Sequence, residues 1–223
     1  MRLWSENFRH GGLLPARHAF AEIDPASRVR LAANHNPHLA WDEVPNGTES
    51  LALFCIDGDA PLDASLANRA DQALPLASAR GDFFHWSLLD IPLAMRSIAA
   101  GQFSSAVTPG GKQAASVPWL DGSGPNHLRQ GVNDYTGWFA GDPQMAGDYH
   151  GYDGPCPPWN DERLHHYLFR LYALDVPRLA LADRFTGPQA LAALYGHILD
   201  EAQLVVAYTL NPELALTLRN PNA

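Results

Sequence analysis

The sequence predicts a mainly β fold, and two observations carry that prediction. Its 18 glycines and 18 prolines are spread along all 223 residues, where they separate short apolar runs as turns separate strands. The four clearest runs, rich in aliphatic and aromatic residues, are predicted strands: Leu51–Ile56, Phe83–Ile91, His166–Leu174 and Leu204–Leu210. No internal repeat or linker divides the chain, so we expect residues 1–223 to form one domain.

One helix is predicted near the C-terminus. Apolar residues recur every three or four positions in Pro188–Gln203, which places them on one helical face. Thr186 and Gln189 have the spacing of a capping box, and Pro188 is tolerated in a first turn. Two Gly-rich stretches, 108–112 and 122–124, suit surface loops.

Charge and composition exclude several classes of partner. The chain has 24 acidic against 15 basic residues and a net charge of −9, which argues against nucleic acid or an anionic membrane as the main partner. No apolar run is long enough for a membrane span, and the N-terminus has no signal-peptide core. Cys55 and Cys156 suit two reduced thiols, so we expect a cytoplasmic protein.

The segment from Gly151 to Asp175 carries the first candidate site. Prolines at 155, 157 and 158 make a stiff, pre-shaped loop because proline fixes φ and lacks an N–H group. Residues two apart on a strand share a face, so His165 and Tyr167 point the same way and His166 points away. A rigid loop beside a His/Tyr pair predicts a binding site.

Two further segments carry candidate residues. Asp57 and Asp59 follow a predicted buried strand, where two carboxylates can bind a cation or orient a histidine; the same residues also suit a polar turn. His85 lies in an apolar strand, where it is either a pocket residue or an ordinary core residue.

Taken together, these segments resemble the phosphatidylethanolamine-binding protein family, which includes Raf kinase inhibitor protein and bacterial relatives. The matching stretches are NPHLAWDEVPNGTESLALFCIDGDAP, FFHWSLLDIP, GYDGPCPP, HHYLFRLYALD, GHILDEAQLVVAY and the opening GGLLPARHAF. The resemblance covers most of the chain, and several spaced motifs are more specific than any one of them.

The resemblance implies an antiparallel β-sandwich with a few peripheral helices and a small anion pocket. The implied ligand-binding residues are Asp57, Asp59, Pro61, His85, Gly154, Pro155, His165 and Tyr167. It also implies a cis peptide bond before Pro61. Gly58 stands where the family has Pro, and His166 where it has Arg.

The predicted function is non-enzymatic binding of phosphate or a phosphorylated headgroup. A carboxylate near a histidine favours imidazolium, so two histidines, the Tyr167 hydroxyl and loop N–H groups can hold phosphate oxygens. An alternative is inhibition of a protein kinase or protease through a protein–protein surface. A hydrolase is a third reading, although no G-x-S-x-G, H-E-x-x-H or cysteine set is present. No metal or cofactor is predicted, and the oligomeric state is open, with a homodimer as one option.

Two segments are longer than in compact bacterial members, between Pro61 and Phe83 and between Gly131 and Gly151. The second holds five large apolar side chains: Tyr135, Trp138, Phe139, Met145 and Tyr149. These side chains either form a lid or partner surface, or pack as a satellite core.

Overall fold

The computed structural model describes residues 1–113, 116–120 and 125–219, so the predicted loop at 122–124 lies outside the described residues. Eleven strands occur in these ranges: β1 (Arg2–Trp4), β2 (Ala21–Asp24), β3 (Arg28–Leu31), β4 (Leu39–Asp42), β5 (Ser50–Pro61), β6 (Arg80–Ile91), β7 (Ser97–Ile98), β8 (Ser116–Leu120), β9 (Pro125–Gln130), β10 (His165–Leu174) and β11 (Ile198–Tyr208). The described helices are α1 (Tyr135–Trp138), α2 (Gly187–Leu194) and α3 (Pro212–Arg219), besides two short 3-10 turns. None of these helices is long and apolar enough to cross a membrane.

The strands form antiparallel sheets, as predicted. A six-stranded sheet has the order β11-β10-β5-β6-β9-β8, a three-stranded sheet has the order β1-β4-β7, and β2 pairs with β3. The main core lies between the two larger sheets. Its buried side chains include Leu3, Leu39, Trp41 and Ile98 from the smaller sheet and Leu53, Trp86, Phe169 and Val206 from the larger one. The predicted β-sandwich of the family type is therefore confirmed.

Helix α2 covers part of the opposite face of the six-stranded sheet. Ala190 and Leu194 of this helix pack with Phe54, Phe84 and Tyr172 in a second buried cluster. The central strands are thus buried on both faces, which explains why β5 reads as a nearly continuous apolar run.

The predicted helix at Pro188–Gln203 is wrong beyond Leu194. The helix begins with the expected capping box, in which the Thr186 N–H group donates to Gln189 Oε1 at 2.9 Å. It ends at Leu194, because Tyr195 has an extended backbone (ψ of 128°) and Gly196 follows with a φ of +90°, which a helix does not allow. Residues 198–208 then pair with β10 along its whole length, so cross-strand hydrogen bonding overrides the helical apolar pattern.

The expected cis bond before Pro61 is also wrong, since no cis peptide bond occurs in the described residues. Pro61 is the last residue of β5 and lies opposite Arg80 in the ladder with β6. At a strand end, the missing N–H group of proline removes no interior ladder bond.

The long segment between Gly131 and Gly151 packs inward. Tyr135 and Tyr149 form a third buried cluster with Phe20, and Phe139 and Met145 pack against it. Of the two predicted alternatives, these four side chains of the segment form the satellite core, whereas Trp138 is 40% exposed.

Candidate functional site

The register of three neighbouring strands brings the predicted polar residues to one place. Asp57 of β5 lies opposite Tyr167 of β10 on one side and opposite Phe83 of β6 on the other. His165 and His85 are each two residues from these partners, so their side chains share the same sheet face. Because the three strands are adjacent in the sheet, motifs far apart in sequence meet without help from loops.

A small pocket opens at this point, with a volume of about 30 Å³. Five of the eight predicted ligand-binding residues line it: Asp57, Pro61, His85, His165 and Tyr167. The remaining lining is mostly apolar and consists of Ala60, Phe83, Tyr135, Trp138, Cys156, Pro157 and Pro158. A volume of this size holds about two water molecules, so the pocket fits only a small polar group.

His165 belongs to a buried chain of alternating charges. Its Nδ1 atom lies 2.7 Å from Asp57 Oδ2, and its Nε2 atom lies 3.0 Å from Asp161 Oδ2. Arg80 in turn binds both carboxylate oxygens of Asp161, at 2.5 and 3.0 Å. These four side chains are two carboxylates and two cations, and their formal charges sum to zero when His165 is protonated.

The charge state of His165 follows from these contacts. Burial alone would lower its pKa, but the hydrogen bonds to Asp161 and Asp57 outweigh burial and raise the pKa to about 9. At neutral pH the ring is an imidazolium, as predicted. Both N–H groups are donated to carboxylates, however, so neither is free to hold a ligand oxygen while these contacts last.

His85 differs from His165 in its charge state. Its Nδ1 atom lies 2.7 Å from the Asp153 carbonyl oxygen, and a carbonyl only accepts, so Nδ1 carries a proton. Burial lowers the pKa of His85 despite the nearby Asp57 and Asp153 charges. The prediction of two imidazolium rings is therefore wrong for His85, whose Nε2 atom is a lone-pair acceptor.

Tyr167 has the clearest unused polar group of the pocket. The side chain is fully buried, and its hydroxyl has no hydrogen-bond partner of good geometry among the described residues. Burial, then the neighbouring Asp57 charge and a weak interaction of the hydroxyl with that carboxylate, raise the pKa of Tyr167 well above its ordinary value, so the hydroxyl remains a donor. A buried unpartnered hydroxyl is costly, and ligand-binding sites are where such groups are retained.

Gly154 and Pro155 do not line the pocket; they form its support. The Gly154 N–H group donates to Asn34 Oδ1 at 2.8 Å, and its carbonyl accepts from the Tyr135 hydroxyl at 2.7 Å. The Pro155 carbonyl accepts from the Phe20 N–H group at 2.9 Å. With these groups occupied, the loop can shape the pocket but has no free N–H group at these positions.

Asp59 lies outside the pocket lining as well. Its carboxylate accepts from Arg163 at 3.1 Å and from the His166 N–H group at 3.0 Å, and His166 Nδ1 lies 2.8 Å away. Burial opposes the effect, but hydrogen bonds to His166 and Arg163 lower the pKa of Asp59. His166 is half exposed and faces away from the pocket, as the strand alternation predicted.

Sequence reasoning missed the groups that surround these residues. Asp161 is four residues before His165, a spacing that could have been noticed, whereas Arg80 lies 81 residues from Asp161 and gave no signal. The sequence shows Tyr135 and Trp138 as aromatic residues of a long loop, but nothing in the sequence places them at the pocket.

The remaining groups to consider are possible metal ligands and the two cysteine thiols. Among residues 1–113, 116–120 and 125–219, no group of three His, Cys, Asp or Glu side chains is arranged to hold a metal ion. Both cysteines are free, and burial raises the pKa of Cys156 to about 12, so its sulfur is a thiol at neutral pH.

Comparison with known proteins identifies the family. The family model described as phosphatidylethanolamine-binding protein matches residues 4–209. The chain belongs to the phosphatidylethanolamine-binding protein family. All five predicted residues that line the pocket lie within the matched range, and so do the two long segments around it.

Relatives of this phosphatidylethanolamine-binding protein family member span its length. A UPF0098 protein of Methanothermobacter thermautotrophicus is 31% identical over 93% of this chain and 98% of its own. The UPF0098 protein YbhB of Escherichia coli is 26% identical over 94% of this chain and 100% of its own. The crystal structure of E. coli YbcL, described as a new member of the mammalian PEBP family, superimposes with a TM-score of 0.63 at 22% identity and covers 93% of this chain and 97% of YbcL.

Proposed function

We propose that this protein binds a small phosphate-like anion, or the phosphorylated headgroup of a larger molecule, without transforming it. One observation carries the proposal: the fully buried Tyr167 hydroxyl has no hydrogen-bond partner of good geometry among the described residues, and it lines the same pocket as His85. An anion oxygen would accept from this hydroxyl, and the pocket volume of about 30 Å³ suits a group of a few atoms.

The absence of a catalytic step is part of the proposal. His165 cannot serve as a general base while both ring nitrogens are bound to carboxylates at 2.7 and 3.0 Å. Cys156 is a poor nucleophile because its pKa is raised to about 12 by burial. We expect phosphatase and esterase assays of the purified protein to stay at background.

A titration test addresses the binding proposal directly. Isothermal titration with phosphate, phosphoethanolamine and phosphotyrosine should give saturable binding of at least one of them. Tyr167→Phe and His85→Ala should weaken that binding, whereas Tyr195→Phe removes a hydroxyl from a tyrosine that is 77% exposed outside the pocket and should leave it unchanged. Absence of binding for all three anions would refute the proposal.

A role as a kinase or protease inhibitor is the second candidate. Trp138 supports it, since this side chain is 40% exposed at the pocket while its neighbours Tyr135 and Tyr149 are buried. A protein partner should therefore contact Trp138, and Trp138→Ala should release it in a pull-down. Retention of the same partners by the variant would remove this candidate.

A cytoplasmic location stays a proposal, with which the two free thiols agree.

A further inference from the structure

His85 presents an acceptor where an anion requires a donor. The ring is fixed because Nδ1 lies 2.7 Å from the Asp153 carbonyl and the Asp153 N–H group donates back to the His85 carbonyl at 3.1 Å. The Nε2 lone pair has no hydrogen-bond partner among the described residues. An anion oxygen placed against this atom would set one lone pair against another.

The Asp153 support keeps the ring from turning. Its carboxylate is completely buried and is held by Lys112 at 2.6 Å, Asn34 at 2.7 Å and Asn133 at 2.9 Å. Turning the ring over about its Cβ–Cγ bond would replace the Nδ1–H group by the Cδ2–H group against the Asp153 carbonyl and lose the 2.7 Å bond. The Nε2 atom therefore stays directed away from Asp153.

Charged and titratable groups surround His85 on every side. Asp57 faces it from β5, His165 and Tyr167 from β10, Tyr135 from α1 and Asp153 from the segment before Gly154, while the apolar Phe83 ring of its own strand packs beside it. Asp57 favours the protonated ring, and the His165 imidazolium opposes it. Because Asp57 and Asp161 are already balanced by His165 and Arg80, the pocket has no surplus positive charge to receive a dianion.

We propose that the pocket takes up its anion together with one proton, which lies between His85 Nε2 and an anion oxygen. This inference rests on the proposed function. The proton comes either with the ligand, as a P–OH group of a phosphate monoanion, or from solvent to the ring when a dianion binds. In both cases the anion and the His85 ring together carry one negative charge fewer than the dianion alone. The Tyr167 hydroxyl donates to a second oxygen of the anion.

Proton uptake can be measured with methyl phosphate, which has no amine of its own. The second pKa of a phosphate monoester is about 6, so at pH 8 the free ligand is almost entirely the dianion. Isothermal titration in two buffers of different ionisation enthalpy should give an uptake of about one proton per bound anion. The affinity should fall about tenfold per pH unit between pH 7.5 and 8.5.

The variant His85→Gln tests proton uptake separately from hydrogen bonding, because glutamine can donate a hydrogen bond without taking up a proton. In His85→Gln the amide NH₂ group can donate near the former Nε2 position, so the variant should bind methyl phosphate with no proton uptake and with an affinity independent of pH. His197→Gln is the matched control, because His197 is half exposed and paired with Asp175 away from the pocket. This variant should keep the uptake of the unmodified protein.

The outcomes distinguish the two proposals. Binding of methyl phosphate by the unmodified protein without proton uptake would overturn this inference and leave the proposed function standing. Absence of binding across pH 6 to 8.5 would overturn both. If His85→Gln does not fold, ¹⁵N NMR of the histidine rings in the unmodified protein decides: Nε2 of His85 should change from unprotonated to protonated or hydrogen-bonded on saturation, and an unchanged resonance would refute the inference.

Discussion

Stability of the fold should fall as the pH rises through the pKa of His165. This ring is 1% exposed and bridges Asp57 and Asp161, which raise its pKa from 6.5 to about 9 against the effect of burial. A histidine whose pKa is higher in the folded state stabilises that state while it is protonated. The stabilisation is complete below pH 6.5 and is lost as the pH rises through 9.

The size of the effect follows from the same two values. The difference between 6.5 and about 9 corresponds to about 3 kcal/mol of unfolding free energy at low pH. Of this, about 2 kcal/mol should be lost between pH 6.5 and 8.5. That loss is a large part of the stability of an ordinary domain, which is about 5–15 kcal/mol.

Urea unfolding at pH 6.5, 7.5 and 8.5 tests the reasoning, with His165→Gln as the comparison. The variant should be less stable at pH 6.5, because Asp57 loses its charged partner, and the difference from the unmodified protein should shrink by about 2 kcal/mol by pH 8.5. Histidines away from the pocket, such as His18 with its lowered pKa, titrate equally in both proteins and cancel, whereas His85 keeps a pKa lowered mainly by burial. A difference that stays constant with pH would show that His165 is not charged in the folded state.

Three further predictions concern groups around the pocket. Tyr167→Phe should raise the unfolding free energy of the ligand-free protein by about 1 kcal/mol, because it removes a buried hydroxyl that has no partner of good geometry among the described residues; destabilisation in urea unfolding would mean that the hydroxyl does have such a partner. Gly154→Ala should destabilise by about 3 kcal/mol, since a Cβ atom there would lie 2.1 Å from the His18 carbonyl oxygen. The same assay should show a change within about 0.5 kcal/mol for Gly58→Ala, because an added Cβ atom would come no closer than 3.9 Å to the nearest atom, Asp82 Oδ1. Iodoacetamide at pH 8 should modify Cys156 far more slowly in the folded than in the urea-unfolded protein, because a pKa of about 12 leaves little thiolate; equal rates by mass spectrometry would contradict this.

Local patterns located the strands but not their ends. The predicted runs at Leu51–Ile56 and Phe83–Ile91 lie inside β5 and β6, which both extend further, to Pro61 and back to Arg80. The added residues are mostly polar or small, and they are strand because Asp57, Ala60 and Pro61 pair across the ladder with Phe83, Gly81 and Arg80, on either side of an irregularity, which a local pattern does not contain. The same cause explains why residues 198–203 read as helix and fold as strand.

The site was predictable to the extent that its residues share a strand face. The pairing of His165 with Tyr167 followed from alternation, and the family resemblance decided between the two roles that the residues alone left open for Asp57 and His85. The charge states of the two histidines could not be predicted from the sequence. They depend on contacts such as that of His165 with Asp161 and that of His85 with the Asp153 carbonyl. Two histidines in one pocket therefore have pKa values shifted in opposite directions.

The long segment between Pro61 and Phe83 supports the charged side of the pocket. Its Asn68 and Leu74 N–H groups donate to Asn160, at 2.8 and 2.9 Å, beside Asp161. Arg80, at its end, holds the Asp161 carboxylate that binds His165. A substitution in this segment would therefore affect the charge of His165 while every residue of the family motifs stays the same.

The long segment between Gly131 and Gly151 supports the opposite side. The Tyr135 hydroxyl donates to the Gly154 carbonyl at 2.7 Å and thereby fixes the proline loop, while Trp138 lines the pocket. The motif residues lie on three paired strands and have little freedom to move, since β5, β6 and β10 are central in the sheet. We therefore expect differences in ligand preference between this protein and compact family members to arise from these two segments, through the charge of His165 and the shape of the pocket mouth.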